Sequence, residues 1–103
     1  MSLDPEIRDV EAERRYELSV DGHLAYVEYN NVEGGRLVSK TLVPQALEGR
    51  GIGSRLARHV LADLRQKGLK ILPTCTFFAA YIKKHPEEYG DLVHDGYRAV
   101  LGL

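Results

Sequence analysis

The chain has 103 residues, with 14 Lys plus Arg against 15 Asp plus Glu and one cysteine. Such a length supplies one core of sheet and helix and no second lobe. The near-cancelling charge gives neither the field that holds nucleic acid nor a basic grip on a membrane. The lone cysteine excludes an intramolecular disulfide, and no apolar run suits a membrane span or a signal-peptide core, so the reading is an intracellular, cytoplasmic protein.

Residues 1–15 are rich in charge, carry Pro5 and show no sustained apolar period. They read as a mobile lead-in with at most a helical turn around Ile7 to Ala12, before a single domain over 16–103. Tyr16 to Val20 alternates apolar and polar residues, Asp21-Gly22 is a strong hairpin signal, and His23 to Tyr29 alternates again. A second turn over Asn30 to Gly35 leads into a strand from Arg36 to Val43, which Pro44 stops because proline cannot donate to a ladder. An antiparallel meander of three strands results.

The period then changes. Ile52, Leu56, Val60 and Leu64 recur every four residues, with Ala57 and Leu61 widening the stripe into the apolar face of a helix. Gly68 suits the left-handed position after its end, and Arg65 and Lys67 suit its negative pole. Leu69 to Leu72 reads as a short strand bent or ended by Pro73, and Phe77 to Lys84 as a second helix closed by His85-Pro86. Glu87 to Leu103 adds one more short strand or helical turn.

Between meander and helix stands Gly49-Arg50-Gly51-Ile52-Gly53-Ser54-Arg55. Glycines at alternate positions let a ligand approach the backbone, and the following helix presents amides and a positive dipole end to an anion. The spacing is neither the G-x-G-x-x-G of dinucleotide sites nor the P-loop, which needs Lys and Ser or Thr after glycine. Either the loop is only a tight connection or it cradles a phosphate or pyrophosphate, with Ser54, Arg50 and Arg55 as extra donors.

Val43-Pro44, a short spacer, the glycine stretch and the amphipathic helix together resemble the acyl-CoA motif of the GNAT superfamily of N-acetyltransferases, commonly written Arg/Gln-x-x-Gly-x-Gly/Ala. Thr41-x-Val43-Pro44, Pro73-x-Cys75 and Tyr81-Ile82-x-x-His85-Pro86, followed by Tyr89 and Asp91-Leu92-Val93, are similar to its minimal single-domain members. The resemblance covers Tyr16 to Val93. It implies an α+β fold of GNAT type: a mixed sheet with an antiparallel meander, then the glycine-loop helix, a strand and a second helix.

The resemblance also implies acetyl-CoA as co-substrate, with pantetheine against the backbone of Leu42 and Val43 and pyrophosphate over Gly49 to Ser54. Two departures stand out: Glu48 occupies the place usually held by Arg or Gln, and Leu42 stands where small relatives often carry Glu. Tyr81 matches a tyrosine that protonates the departing CoA thiolate, or else is an aromatic packed on the core. Cys75 is either a small buried hydrophobe or a thiol facing the thioester, as nucleophile or as wall of the site. His85 reads as a helix-end residue before it reads as a base, and Lys83-Lys84 as a solvated face that in a CoA protein approaches the adenosine phosphate. His23, His59 and His94 stand at no metal-ligand spacing with Cys75, so no metal is expected.

The implied function is transfer of an acetyl group from acetyl-CoA to an amine of a small molecule or protein, by a monomer or weak homodimer without nucleic-acid or membrane partners. The alternative is a non-catalytic sensor or subunit that binds CoA or acyl-CoA.

Overall fold

The computed structural model describes residues 3–103. Five strands among them, β1 (Arg8–Val10), β2 (Arg15–Val20), β3 (His23–Val32), β4 (Gly35–Leu42) and β5 (Lys70–Pro73), form one sheet in that order. The pairs are antiparallel except β4 with β5, which is parallel. Asp21 and Gly22 take φ of 50° and 78°, the left-handed pair that a two-residue hairpin needs to match the twist of its strands.

The second turn is tighter than the sequence reading. Val32 pairs with Gly35, so only Glu33 and Gly34 turn, and Asn30 and Asn31 belong to β3. Gly34 supplies the positive φ, 75°, and Gly35 admits β5: a Cβ there would lie 2.4 Å from the Lys70 carbonyl oxygen.

Two helices complete the core, α1 (Ile52–Lys67) and α2 (Thr76–Lys84). α1 lays Leu56, Val60, Leu61 and Leu64 in the same buried cluster as Tyr16, Leu18, Val27 and Val38 of the sheet. Each aliphatic side chain buried this fully contributes about 1.5–3 kcal/mol. α1 ends as expected at Gly68, φ 69°, where the Gly68 amide donates to the Arg65 carbonyl and that of Leu69 to Leu64. The tail forms two four-residue helices, α3 (Pro86–Tyr89) and α4 (Asp95–Arg98), and Val93 makes a single parallel bridge to Ile71 on the outer edge of β5.

The N-terminal segment corrects part of the sequence reading. Residues 1 and 2 lie outside the described residues, but the helical turn is a single 3-10 turn over Glu11–Glu13, and before it Arg8 to Val10 is the edge strand β1, paired with Arg15 to Glu17, with Ile7 buried. What anchors it is polar. Asp9 Oδ2 accepts from Arg36 Nη1 at 2.8 Å and from Lys67 Nζ at 2.9 Å, while Oδ1 accepts from the Tyr29 hydroxyl. A three-residue strand held by charges has no apolar period to betray it.

Beyond the meander the sheet opens. Glu28 pairs with Lys40 and Tyr29 with Val38, so Ser39 is a bulge in β4. β4 and β5 pair only from Gly35 and Lys70 to Val38 and Pro73, and β4 then runs on to Leu42 without β5 beside it. The Val38 carbonyl closes the pairing by accepting from the Cys75 amide and the Thr74 hydroxyl, each at 3.0 Å.

Candidate functional site

The start of α1 is shaped by backbone rather than by side chains. Gly49 and Gly51 have φ of 78° and 71°, and nothing lies within 4 Å of where a Cβ on either would stand. Conformation, not crowding, requires glycine there. Gly51 is the residue at the helix start, no side chain caps it, and no acidic residue stands in the first turn. The first turn thus presents its amides at the positive end of a sixteen-residue helix with no side-chain cap and no acidic residue beside them.

Gly53 has a different reason to be glycine. A Cβ there would lie 2.9 Å from Phe77 Cζ, so it lets α1 and α2 approach. That contact leads to a hollow of about 280 Å³ between the two helices, walled by Ser54, Phe77, Tyr81, Lys84 and His85. Tyr81 stacks on Phe77 at 6.3 Å and 28°, lies 4.8 Å from the His85 ring and 5.8 Å from the Tyr89 ring.

At the opening of the sheet, Cys75 stands just before α2 in extended backbone, with its Sγ 3.3 Å from Thr41 Oγ1. It is buried, 8% exposed. Leu42, opposite Tyr26 at the end of β4, is one of the few large apolar side chains left exposed; Val43 packs half-buried on the core.

A family model described as GCN5-related N-acetyl-transferase matches residues 15–92, from β2 to just past α3. The chain belongs to the GCN5-related N-acetyltransferase family. No curated protein matches it. Its mixed five-strand sheet is the GNAT-like fold that the resemblance implies, and membership carries acetyltransferase-type function in general.

Within this GNAT chain the residues singled out in the sequence fall into separate places. Ser54 and Tyr81 share the hollow between the helices, and Cys75 sits with Thr41 at the sheet opening. The two loop arginines have protein partners. Arg50 pairs with Asp21 of the hairpin turn at 2.8 Å, and not with Glu48. Arg55 pairs with Asp4 at 2.8 Å, beside His59, in a polar hollow of about 340 Å³ along the N-terminal segment. This hollow is larger than the one holding Tyr81, yet its walls are ion-paired to each other and it contains neither the glycine loop nor the thiol.

Three features escaped sequence reasoning. Phe77 was legible as an apolar residue, but not as the ring that Gly53 admits. His59, of which the sequence shows only a lack of metal-ligand spacing, is buried, and its Nδ1 accepts the Asp4 amide at 2.9 Å. Burial pulls its pKa down against the opposing pull of Asp63 and Asp4. The third is a buried polar network in which Arg36 donates to Tyr16, and Tyr16 to Asp63, each at 2.7 Å. Burial, joined by the bond to Asp63, raises the Tyr16 phenol far above its ordinary range, so it stays a donor at every working pH. Among the described residues no group of three or more His, Cys, Asp and Glu is placed to hold a metal ion, and no helix is long and apolar enough to cross a membrane.

Proposed function

We propose that this GNAT domain moves an acetyl group from acetyl-CoA to an amine of a small molecule or protein. The observation that carries the reading is the parting of β4 from β5 after Val38 and Pro73, with Thr41 and Cys75 at the opening. A strand edge with no neighbour suits the amide groups of a pantetheine arm, which take the place of a ladder partner. The uncapped first turn of α1 suits the diphosphate through its free amides and its dipole. Arg50 and Arg55 already have carboxylate partners, so Ser54 and Lys84 are the side chains that complete the phosphate contacts.

In this reading a neutral amine attacks the thioester carbonyl, a C–N bond forms and the C–S bond breaks. The thiolate takes the Tyr81 proton and the surplus amine proton goes to solvent. Cys75 walls the site with its thiol beside Thr41 or takes the acetyl group first; a single acetylated cysteine in the mass spectrum after incubation separates these routes.

Thermal melting tests the binding. At a hundred times Kd, acetyl-CoA stabilises the native state by about 2.7 kcal/mol, which raises Tm by roughly 10 °C in a domain of this size. No shift at millimolar acetyl-CoA overturns the reading. Release of free thiol with a panel of amines then tests the enzyme, and binding without release leaves the CoA-binding sensor or subunit.

A further inference from the structure

We propose that Tyr89 is a positioning residue for the acetyl transfer: its buried phenol donates a hydrogen bond to the Tyr81 oxygen and holds that oxygen, before and after its proton leaves, at the hollow between α1 and α2. The proposal rests on the reading of Tyr81 as the acid.

The geometry comes from the break at His85-Pro86. Proline ends α2 and opens α3, turning the chain back so that Tyr89, at the end of α3, comes to lie against Tyr81 on the preceding helix. Their rings are 5.8 Å apart and inclined by 36°. His85 closes the group at 4.8 Å from Tyr81 and 6.3 Å from Tyr89, edge-on to the latter. The two phenols differ in access: Tyr89 is 1% exposed, while Tyr81 is half-buried and forms a wall of the hollow. A tyrosine placed behind another in this way reaches the hollow only through its neighbour.

The chemistry follows from which phenol keeps its proton. Burial, then the neighbouring Tyr81, Glu88 and the hydrogen bond with Tyr81 push the Tyr89 phenol up to about 12. A phenol can donate or accept, but a Tyr81 oxygen that has given its proton to sulfur can only accept. The buried Tyr89, still protonated, is then the donor of the bond between the two phenols. When sulfur takes that proton, negative charge appears on the Tyr81 oxygen, and the bond from Tyr89 becomes a charge-assisted one, stronger than the neutral bond it replaces. The gain exists only as the transfer proceeds, which is the condition for accelerating it. Water then returns a proton to Tyr81, and both phenols are restored.

The test compares Tyr81→Phe, Tyr89→Phe and the double variant, each checked for folding and for its acetyl-CoA melting shift. Tyr89→Phe keeps the ring and removes only the donor. Its kcat should fall about tenfold while KM for acetyl-CoA stays within twofold, and the double variant should be no slower than Tyr81→Phe. Tyr89→Phe with wild-type kcat, or losses that multiply in the double variant, overturns the proposal. Full activity in Tyr81→Phe overturns it by a different route, because the acid itself is then elsewhere. If Tyr89→Phe does not fold, ¹³Cζ-tyrosine NMR on the native chain and on Tyr81→Phe decides: removing the Tyr81 oxygen should bring the Tyr89 titration down from about 12, and an unmoved titration refutes the bond.

Discussion

Gly53 and Phe77 meet so closely that a single added carbon, the Cβ of an alanine at 53, would lie 2.9 Å from Phe77 Cζ. Overpacking of this kind costs about 1–3 kcal/mol, against a helix-propensity gain for alanine over glycine of at most about 1 kcal/mol. Phe77 is 38% exposed and its ring can swing outward, which sets the cost at the low end. Gly53→Ala should therefore lower stability by no more than about 1 kcal/mol, and in a Phe77→Ala background the same change should become stabilising. Chemical denaturation of the four proteins checks this; the same loss in both backgrounds would mean that the contact is not the reason for glycine at 53.

Gly51 makes the opposite prediction about cause. Its surroundings are open but its φ is 71°, so any other residue meets backbone strain of about 1–2 kcal/mol and, if β-branched, a side chain where the diphosphate is proposed to lie. Gly51→Val should fold with reduced stability and lose the melting shift with acetyl-CoA. A folded variant that keeps the full shift would remove the diphosphate from this loop.

The two glycines show what was legible in the sequence and what was not. Local signals carried the meander and α1: Asp21-Gly22 turns whatever surrounds it, and the four-residue stripe from Ile52 to Leu64 points one way only. Partners far apart in sequence were invisible. β1 is held by Arg36 and Lys67, 27 and 58 residues from Asp9, and Arg55 is taken by Asp4, 51 residues away. Gly51 and Gly53 look alike in a string of alternate glycines, yet one serves backbone conformation and the other helix packing. The tail was unclear because it consists of short helical turns and a single bridge to Ile71, too brief for a period to emerge.

Asp9 links stability to acid. Its burial alone would raise its pKa, but hydrogen bonds from Tyr29, Arg36 and Lys67 overcome that and hold it below the ordinary carboxylate range. A depressed folded pKa means that the unfolded chain binds the proton first as pH falls. The stabilisation is complete above the unfolded value, about 4, and is lost as pH drops through the folded one. Asp9→Asn should reduce stability at pH 7 by about 2 kcal/mol, since it leaves Arg36 and Lys67 short of a carboxylate. Its Tm should also fall less steeply than the wild type's below pH 4. Parallel melting curves down to pH 2 would show that Asp9 is not the group responsible.

His59 makes the N-terminal segment sensitive to a milder change. Its neutral Nδ1 accepts the Asp4 amide, and protonation turns that acceptor into a donor. The pKa is lowered by burial, so the contact is intact above the ordinary histidine value, about 6.5, and weakens as pH falls through the lower folded value. Hydrogen exchange of the Asp4 amide, corrected for its intrinsic rate, should lose protection as pH falls below the ordinary histidine value. Protection that stays constant down to the acid unfolding of the whole domain would mean that the Arg55 pair alone fastens the segment.

Glu48 tests the electrostatics of the proposed diphosphate site. It lies exposed in the loop before Gly49, its neighbour Arg50 is engaged with Asp21, and the family pattern has Arg or Gln at its place. Replacing a negative by a positive charge near a diphosphate is worth about 1 kcal/mol at physiological salt, where screening over about 8 Å removes most of the bare attraction. Glu48→Arg should therefore tighten CoA binding roughly fivefold. The gain should shrink as salt is raised, while the melting temperature without ligand stays within a degree or two. Unchanged affinity at low salt would place the diphosphate away from this end of the loop, and a gain independent of salt would point to a new direct contact rather than to relief of repulsion.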